Sequence, residues 1–274
     1  MLGRPNLPPG VIAEAGPEYL PLPTSVSVYI APVLPDDPAL RAAGEGWIER
    51  IAAALEAYSP GGAPRAIDLS GISFDERRFL DEVLRPGEVS GLAFGESILQ
   101  VEETVFAGLW RIRGGERGRA DFVDMLEVAD IPSVLRTRAA AGALALPEPE
   151  EIPEGIVNAP HILAELIARS AAFIASGRTH MLNLDLVPMS DAELTWLVDN
   201  LGEGPVVIIS AGYGACRIRS TRLAGTWWVQ FSNASDVLIL NTLEITQIPE
   251  VACAAPEDIA DSAKRLRALR GVYS

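Results

Sequence analysis

Cys216 is the residue of this chain best placed to act as a nucleophile. It follows Gly212-Tyr213-Gly214-Ala215 and precedes Arg217, so turn amides or the arginine charge could favour the thiolate, the attacking form of the side chain. Against this, Cys216 falls on a strand-like stretch, has no histidine near it in sequence, and is replaced by Leu99 in the internal copy described below. An inert, half-buried thiol is the favoured expectation, and Cys253, within Val251-Ala-Cys-Ala-Ala255, is expected in the core. His161 and His180 stand apart from both cysteines, and no C-x-x-C, H-x-x-x-H or H-E-x-x-H spacing occurs. No resident metal or other cofactor is therefore expected. Lys264 is the single lysine, which nearly excludes Schiff-base and phosphate-loop chemistry. No nucleophile elbow or dinucleotide fingerprint is present, and Gly212-Tyr213-Gly214 reads as a hairpin turn.

Aromatic and polar residues gather near the carboxy end. In Trp227-Trp228-Val229-Gln230-Phe231 the two tryptophans must face opposite sides of a strand. Trp227 matches Trp110 of the internal copy and is the core candidate. Trp228 matches Arg111 and is free to be surface, unless a helix or the other copy covers it. Glu127 and Glu244 occupy matching positions, each expected to tie a strand end to a neighbouring arginine.

The elements that position these residues come in two sets. Residues 66–134 resemble residues 183–251 at a constant offset of 117, with eighteen identities in sixty-nine positions. Asp68-Leu69 recurs as Asp185-Leu186, Ser73-x-x-Glu76 as Ser190-x-x-Glu193, Trp110 as Trp227, and Leu126-Glu127 as Leu243-Glu244. A period longer than the roughly 20–50 residues of solenoid units implies two small domains. The Ser/Glu pairs are helix capping boxes rather than catalytic pairs. Each copy reads α-β-α-β-β-β-β, and short connectors favour antiparallel order. The expected class is α+β, with two tandem similar domains, each with an antiparallel sheet, related by a pseudo-twofold. The expected organisation is a proline-rich arm at 1–39, with one edge strand at Ser25–Ile30. The first repeat spans 40–138, an acidic proline-rich linker, extended and exposed, spans 139–160, and the second repeat spans 161–274. The last helix starts near Pro256 and buries Ile259, Ala263, Leu266 and Leu269.

A net charge of −15 and a pI near 4.6 disfavour nucleic acid as a partner. No apolar run approaches the roughly 18 residues of a membrane span, and no basic-then-apolar signal segment opens the chain. A cytoplasmic location is expected.

Gly212-Tyr213-Gly214, Leu223-Ala-Gly-Thr-Trp227-Trp-Val-Gln230, Leu243-Glu244, Ile248-Pro-Glu-Val251 and Ala255-Pro-Glu-Asp-Ile259, with Ile67-Asp-Leu69 and Phe106-Ala-Gly-Leu-Trp-Arg111 in the first copy, resemble the HupH/HyaF hydrogenase expression proteins. The likeness spans residues 40–274. It implies a non-enzymatic accessory or chaperone role in maturing uptake [NiFe] hydrogenase. The client would be the iron–sulfur small subunit before export, met alongside a thioredoxin-like companion. The family supplies no catalytic residues to carry over. A partner surface is expected on the second copy's sheet around Tyr213, Arg217, Trp228, Gln230 and Asn241. A thiol enzyme or redox factor using Cys216, and a carrier of a small ligand or metal cluster, are the alternatives.

Overall fold

The computed structural model describes residues 34–144, 146, 149, 151–211 and 215–271; most of the proline-rich arm, its expected edge strand and Tyr213 lie outside them. The elements run α1 (Pro38–Glu56), β1 (Arg65–Asp68), α2 (Phe74–Leu84), β2 (Pro86–Ala93), β3 (Leu99–Thr104), β4 (Leu109–Gly114), β5 (Val123–Val128) and α3 (Ser133–Ala141). A second series follows: α4 (Ala159–Ser176), β6 (His180–Asn183), a 3-10 turn (Leu184–Leu186), α5 (Asp191–Leu201), β7 (Glu203–Ser210), β8 (Ala215–Thr221), β9 (Thr226–Ser232), β10 (Leu238–Ile245) and α6 (Pro256–Gly271).

Both expected capping boxes form. Ser73 accepts the Glu76 N–H while Glu76 Oε2 accepts the Ser73 N–H, and Ser190 and Glu193 do the same at the start of α5. The remaining carboxylate oxygen is also used in both. Glu76 Oε1 accepts the Trp47 indole N–H of α1 at 2.9 Å, and Glu193 Oε1 accepts the Val157 and Asn158 N–H groups, before α4, at 2.9 and 2.6 Å. Each capping glutamate thus fastens one helix to the start of another.

The strands form a ten-stranded antiparallel sheet in the order β1-β5-β4-β3-β2-β7-β8-β9-β10-β6. Separate sheets were expected; instead β2 pairs with β7, from Val89↔Ser210 to Ala93↔Val206. Pairing satisfies the backbone groups that two free edges would leave open.

Two compact units contain these elements. One comprises the described residues up to Arg138, with Pro205–Ser210 and the chain from Pro249; the other comprises Ala139–Gly204 and Ala211–Ile248. In the first, α1, α2 and the sheet bury Ile51, Leu55, Phe79, Leu80, Phe106, Leu109 and Leu126. Ile259, Ala263 and Leu266 of α6 complete that core. The periodicity of α6 was legible, but its place is the core of the first unit. Gly108 makes the approach possible, since its φ is +76° and an added Cβ would lie 2.5 Å from Ile259. In the second unit, α4, α5 and the sheet bury Leu163, Leu166, Leu197, Leu201, Trp228 and Leu243. Leu146 and Ile156, from the stretch expected to be an exposed linker, pack against that core, and Leu144 bridges to Leu223. Both units therefore take a covering segment from the chain that follows the other set of strands. The contacts match by position: Arg265 Nη2 donates to the Val105 carbonyl at 3.1 Å, and the Leu144 N–H donates to the Arg222 carbonyl, 117 residues on, at 2.7 Å.

Candidate functional site

Four of the five residues expected to form a partner surface are described, and they share one sheet face. Arg217 pairs with Gln230, Gln230 with Asn241, and Trp228 lies two residues along β9. That face is the one covered by α4 and α5, so the expectation that Trp228 is free for the surface is corrected. Its side chain sits in the core with only 5% of the residue exposed, and its indole N–H donates to Asn241 Oδ1 at 2.5 Å. Asn241 is buried too, and its N–H donates to Asp185 at 3.0 Å. Gln230 accepts from Arg219 Nη2 at 3.3 Å, and Arg217 is half-buried. Trp227 is in the core as expected, and both matched indoles bond the loop beyond the last strand: Trp110 to the Ala129 carbonyl and Trp227 to the Thr246 carbonyl. Where a tie to an arginine was expected, Glu127 holds Ser133 instead, accepting its N–H and hydroxyl at the start of α3.

The counterpart of the Trp228 site in the first unit is an open, charged cleft. Leu80, Asp81, Leu84, Arg85, Pro86, Glu102, Glu103, Thr104, Arg111 and Arg113 line a space of about 210 Å³. The matching space in the second unit, beside Val198, Leu201, Gly202, Arg219 and Trp228, is about 20 Å³. Position by position, Arg111 stands where Trp228 does, Asp124 where Asn241 does, Arg77 where Leu194 does and Asp81 where Val198 does. A neutral indole–amide pair fills the space in the second unit, while the ionic group at the matching positions of the first leaves a cleft open.

The charges in that cleft are ordered by Asp124, which is buried at the foot of β5. Arg111 donates to it through Nε at 2.7 Å, with Nη2 2.6 Å from the same oxygen, and Arg77 pairs with the other oxygen. Because two donors of Arg111 crowd one oxygen, Nη2 is left without a hydrogen-bond acceptor in line. Its Nη1 is 3.9 Å from Asp81, which is held more closely, at 3.0 Å, by Arg113. Burial, and then the neighbouring Arg113, bring the Arg111 pKa down to about 10. Arg85 ends α2 at φ +30°, in the left-handed region where its counterpart is Gly202.

Other titratable groups are accounted for without chemistry. Burial, and then Glu244, push the Cys216 thiol up to about 12, and burial pushes Cys253 up to about 11, so neither is a thiolate at neutral pH. Backbone N–H groups of Ser190, Asn158 and Val157 hold Glu193 down at about 2. Glu103, on the sheet face opposite Arg111, accepts the Gly108 N–H at 3.1 Å, and burial raises its pKa to about 7. Among the described residues no group of three or more His, Cys, Asp and Glu could hold a metal ion, and no helix is long and apolar enough to cross a membrane.

The family described as "HupH hydrogenase expression protein, C-terminal conserved region" matches residues 43–151 and again residues 156–273. The hydrogenase expression/formation protein HupQ of Azotobacter chroococcum mcd 1 is 41% identical over 258 residues, covering 92% of this chain and 90% of its own. HupH of Rhodobacter capsulatus is 40% identical over 94% of this chain and 93% of its own, and the hydrogenase-1 operon protein HyaF of Escherichia coli (strain K12) 34% over 77% and 74%. A solved HupH chain from Thiobacillus denitrificans ATCC 25259, 26% identical, covers 42% of this chain and 95% of its own with a TM-score of 0.39. By its matches along nearly the whole described length, this chain belongs to the HupH family of hydrogenase expression proteins.

Proposed function

We propose that this protein is a non-enzymatic accessory factor of [NiFe] hydrogenase maturation, working in the cytoplasm, which holds the iron–sulfur small subunit before export beside a thioredoxin-like companion. The observation that carries the reading is the double match to the family's conserved region, joined to relatives named for hydrogenase expression and formation. The buried, high-pKa Cys216 supports a role without a covalent step. We further propose that the chain is a fused duplication with a pseudo-twofold, its repeats at 40–138 and 161–274. The paired capping boxes, the paired indole bonds and a strand order that reads the same from either end in matched elements support this. So does the register of β2 on β7, centred on Gly91↔Ile208, two residues that are each other's counterparts.

Client recognition is assigned to the second unit, through half-buried Arg217 on the Trp228 face of the sheet, exposed Met181 on the opposite face at the outer strand β6, and exposed Leu186 just beyond that strand. Trp228 and Asn241 act there from beneath, by holding α5 against the sheet. Such exposed apolar anchors on an acidic protein suit a reversible grip on an unfinished chain. The test is a pull-down from hydrogenase-expressing cells with the wild type, Leu186→Asp and Arg217→Glu. The small subunit should be recovered with the wild type and reduced at least about fivefold with Leu186→Asp; equal recovery by all three would remove the assignment. Cys216→Ser should leave hydrogenase maturation intact, and loss of maturation by a folded Cys216→Ser protein would favour the thiol-dependent alternative.

A further inference from the structure

The first unit's cleft has no part in the surface assigned to the client, yet it is the larger of the two matched spaces and carries a specific charge arrangement. Its apolar part is made by the buried side chains of Leu80 and Leu84, with exposed Pro86 at the edge. Its wall holds Arg111 and Arg113, with Arg85 at the rim. Three arginines, Arg77, Arg111 and Arg113, meet three acids, Asp124, Asp81 and Glu102, but the pairing is uneven. Two guanidinium groups share Asp124, while Asp81 and Glu102 lie at the solvent edge, nearly half exposed. At depth, then, two cations share one acid, while at the solvent edge Arg113 is paired with Asp81 and Glu102, where water screens the charges. Arg111 is 4% exposed; its Nε and Nη2 lie against Asp124, and Nη1 is left with only Asp81, at 3.9 Å. A buried guanidinium with unused donors is costly unless an acceptor completes it. A carboxylate has two oxygens, one for Nη1 of Arg111 and one for a guanidinium donor of Arg113. The positive φ of Arg85, at a position where the second unit has glycine, marks the same rim as a place where backbone strain is kept.

We propose that the cleft between α2 and β3–β4 binds a carboxylate carried on a short apolar stem, with Arg111 and Arg113 on the carboxylate and Leu80 and Leu84 on the stem. Two sources share this chemistry, a free small acid and the terminal carboxylate of a polypeptide. The second unit does not offer this site, because Trp228 occupies the place of Arg111 and of the stem, and Arg219, which lines its small space, lies over the Trp228 ring and holds Gln230.

The full chain, isotope-labelled, is titrated with hexanoate, hexylamine and hexanol, and backbone amide shifts are followed. Hexanoate should give saturable shifts at Leu84, Arg85, Glu102, Arg111 and Arg113, and bind at least about threefold more tightly than the other two. Arg113→Gln, on a residue nearly half exposed and so tolerant of change, should weaken hexanoate at least about threefold while the spectrum stays folded. This variant keeps the test open should Arg111→Gln fail to fold. A leucine-ending pentapeptide with a free carboxyl, compared with its amide, separates the sources: the free peptide binding more tightly than hexanoate names a polypeptide end, and weaker binding names a small acid. Equal binding of hexanoate and hexylamine, shifts scattered away from the cleft, or an unchanged affinity in Arg113→Gln would each overturn the proposal.

Discussion

Asp124→Asn should be among the most damaging single changes in the first unit, and its damage should be repairable by borrowing from the second. Asp124 is 3% exposed and neutralises Arg111, whose side chain is 5% exposed, and Arg77, at 20%. Removing one member of a buried ion pair costs about 3–5 kcal/mol, since the remaining charge stays desolvated. For a chain of this length that corresponds to a fall in Tm of roughly 6–10 °C. The second unit solves the same packing problem with Asn241, Trp228 and Leu194. Adding Arg111→Trp and Arg77→Leu to Asp124→Asn removes both orphaned charges and places an indole in the cleft. Burying an indole contributes about 4–6 kcal/mol from its apolar area, so the triple variant should regain at least half of the lost stability. Thermal melts and urea midpoints of the wild type, the single and the triple variant measure this. A triple variant no more stable than Asp124→Asn would show that the two clefts are not interchangeable solutions on one scaffold, and the equivalence drawn between them would fall.

Glu103 predicts a pH effect. Its folded pKa of about 7 lies above the ordinary 4.5 because burial disfavours the carboxylate. Between those values the folded state holds a proton that the unfolded state has released, so stability declines as pH rises from about 4.5 to 7 and levels off above. Glu103→Gln should flatten that decline in urea midpoints taken across the range; an identical slope in wild type and variant would refute it. Leu266→Ala on α6 should cost about 2–5 kcal/mol, with hydrogen-exchange protection lost in β4, β5 and α2 and retained in β9 and β10, because Leu266 is fully buried in the first core.

Much of the fold was legible because local chemistry decided it. Ser73-x-x-Glu76 and Ser190-x-x-Glu193 mark helix starts wherever they occur, and glycine-bounded alternation gave β7 to β10 to within about three residues. What stayed hidden depended on partners far along the chain. The stripe Ile259, Ala263, Leu266 looks the same whichever core receives it, and nothing local in Val206–Ser210 says that β2 will be its neighbour. Trp228 misled for a related reason. Matching it to Arg111 suggested a surface position, on the assumption that an arginine is exposed, whereas Arg111 is itself buried against Asp124. The cleft has a trace in the sequence: at the fixed offset, Arg77, Asp81, Arg111 and Asp124 change together into Leu194, Val198, Trp228 and Asn241. Four charges exchanged as a group for neutral residues are the mark of one shared environment. Read singly, each looks like surface drift.

The crossing of the covering segments bears on how such a protein is built. On the duplication proposed above, a molecule with a single copy would end in a tail that its own body does not hold, so two molecules would have to trade tails, and dilution would pull them apart. Joining the copies in one polypeptide turns that trade into an internal event at a local concentration fixed by the tether. The surface a client meets would then persist at however few molecules the cell makes.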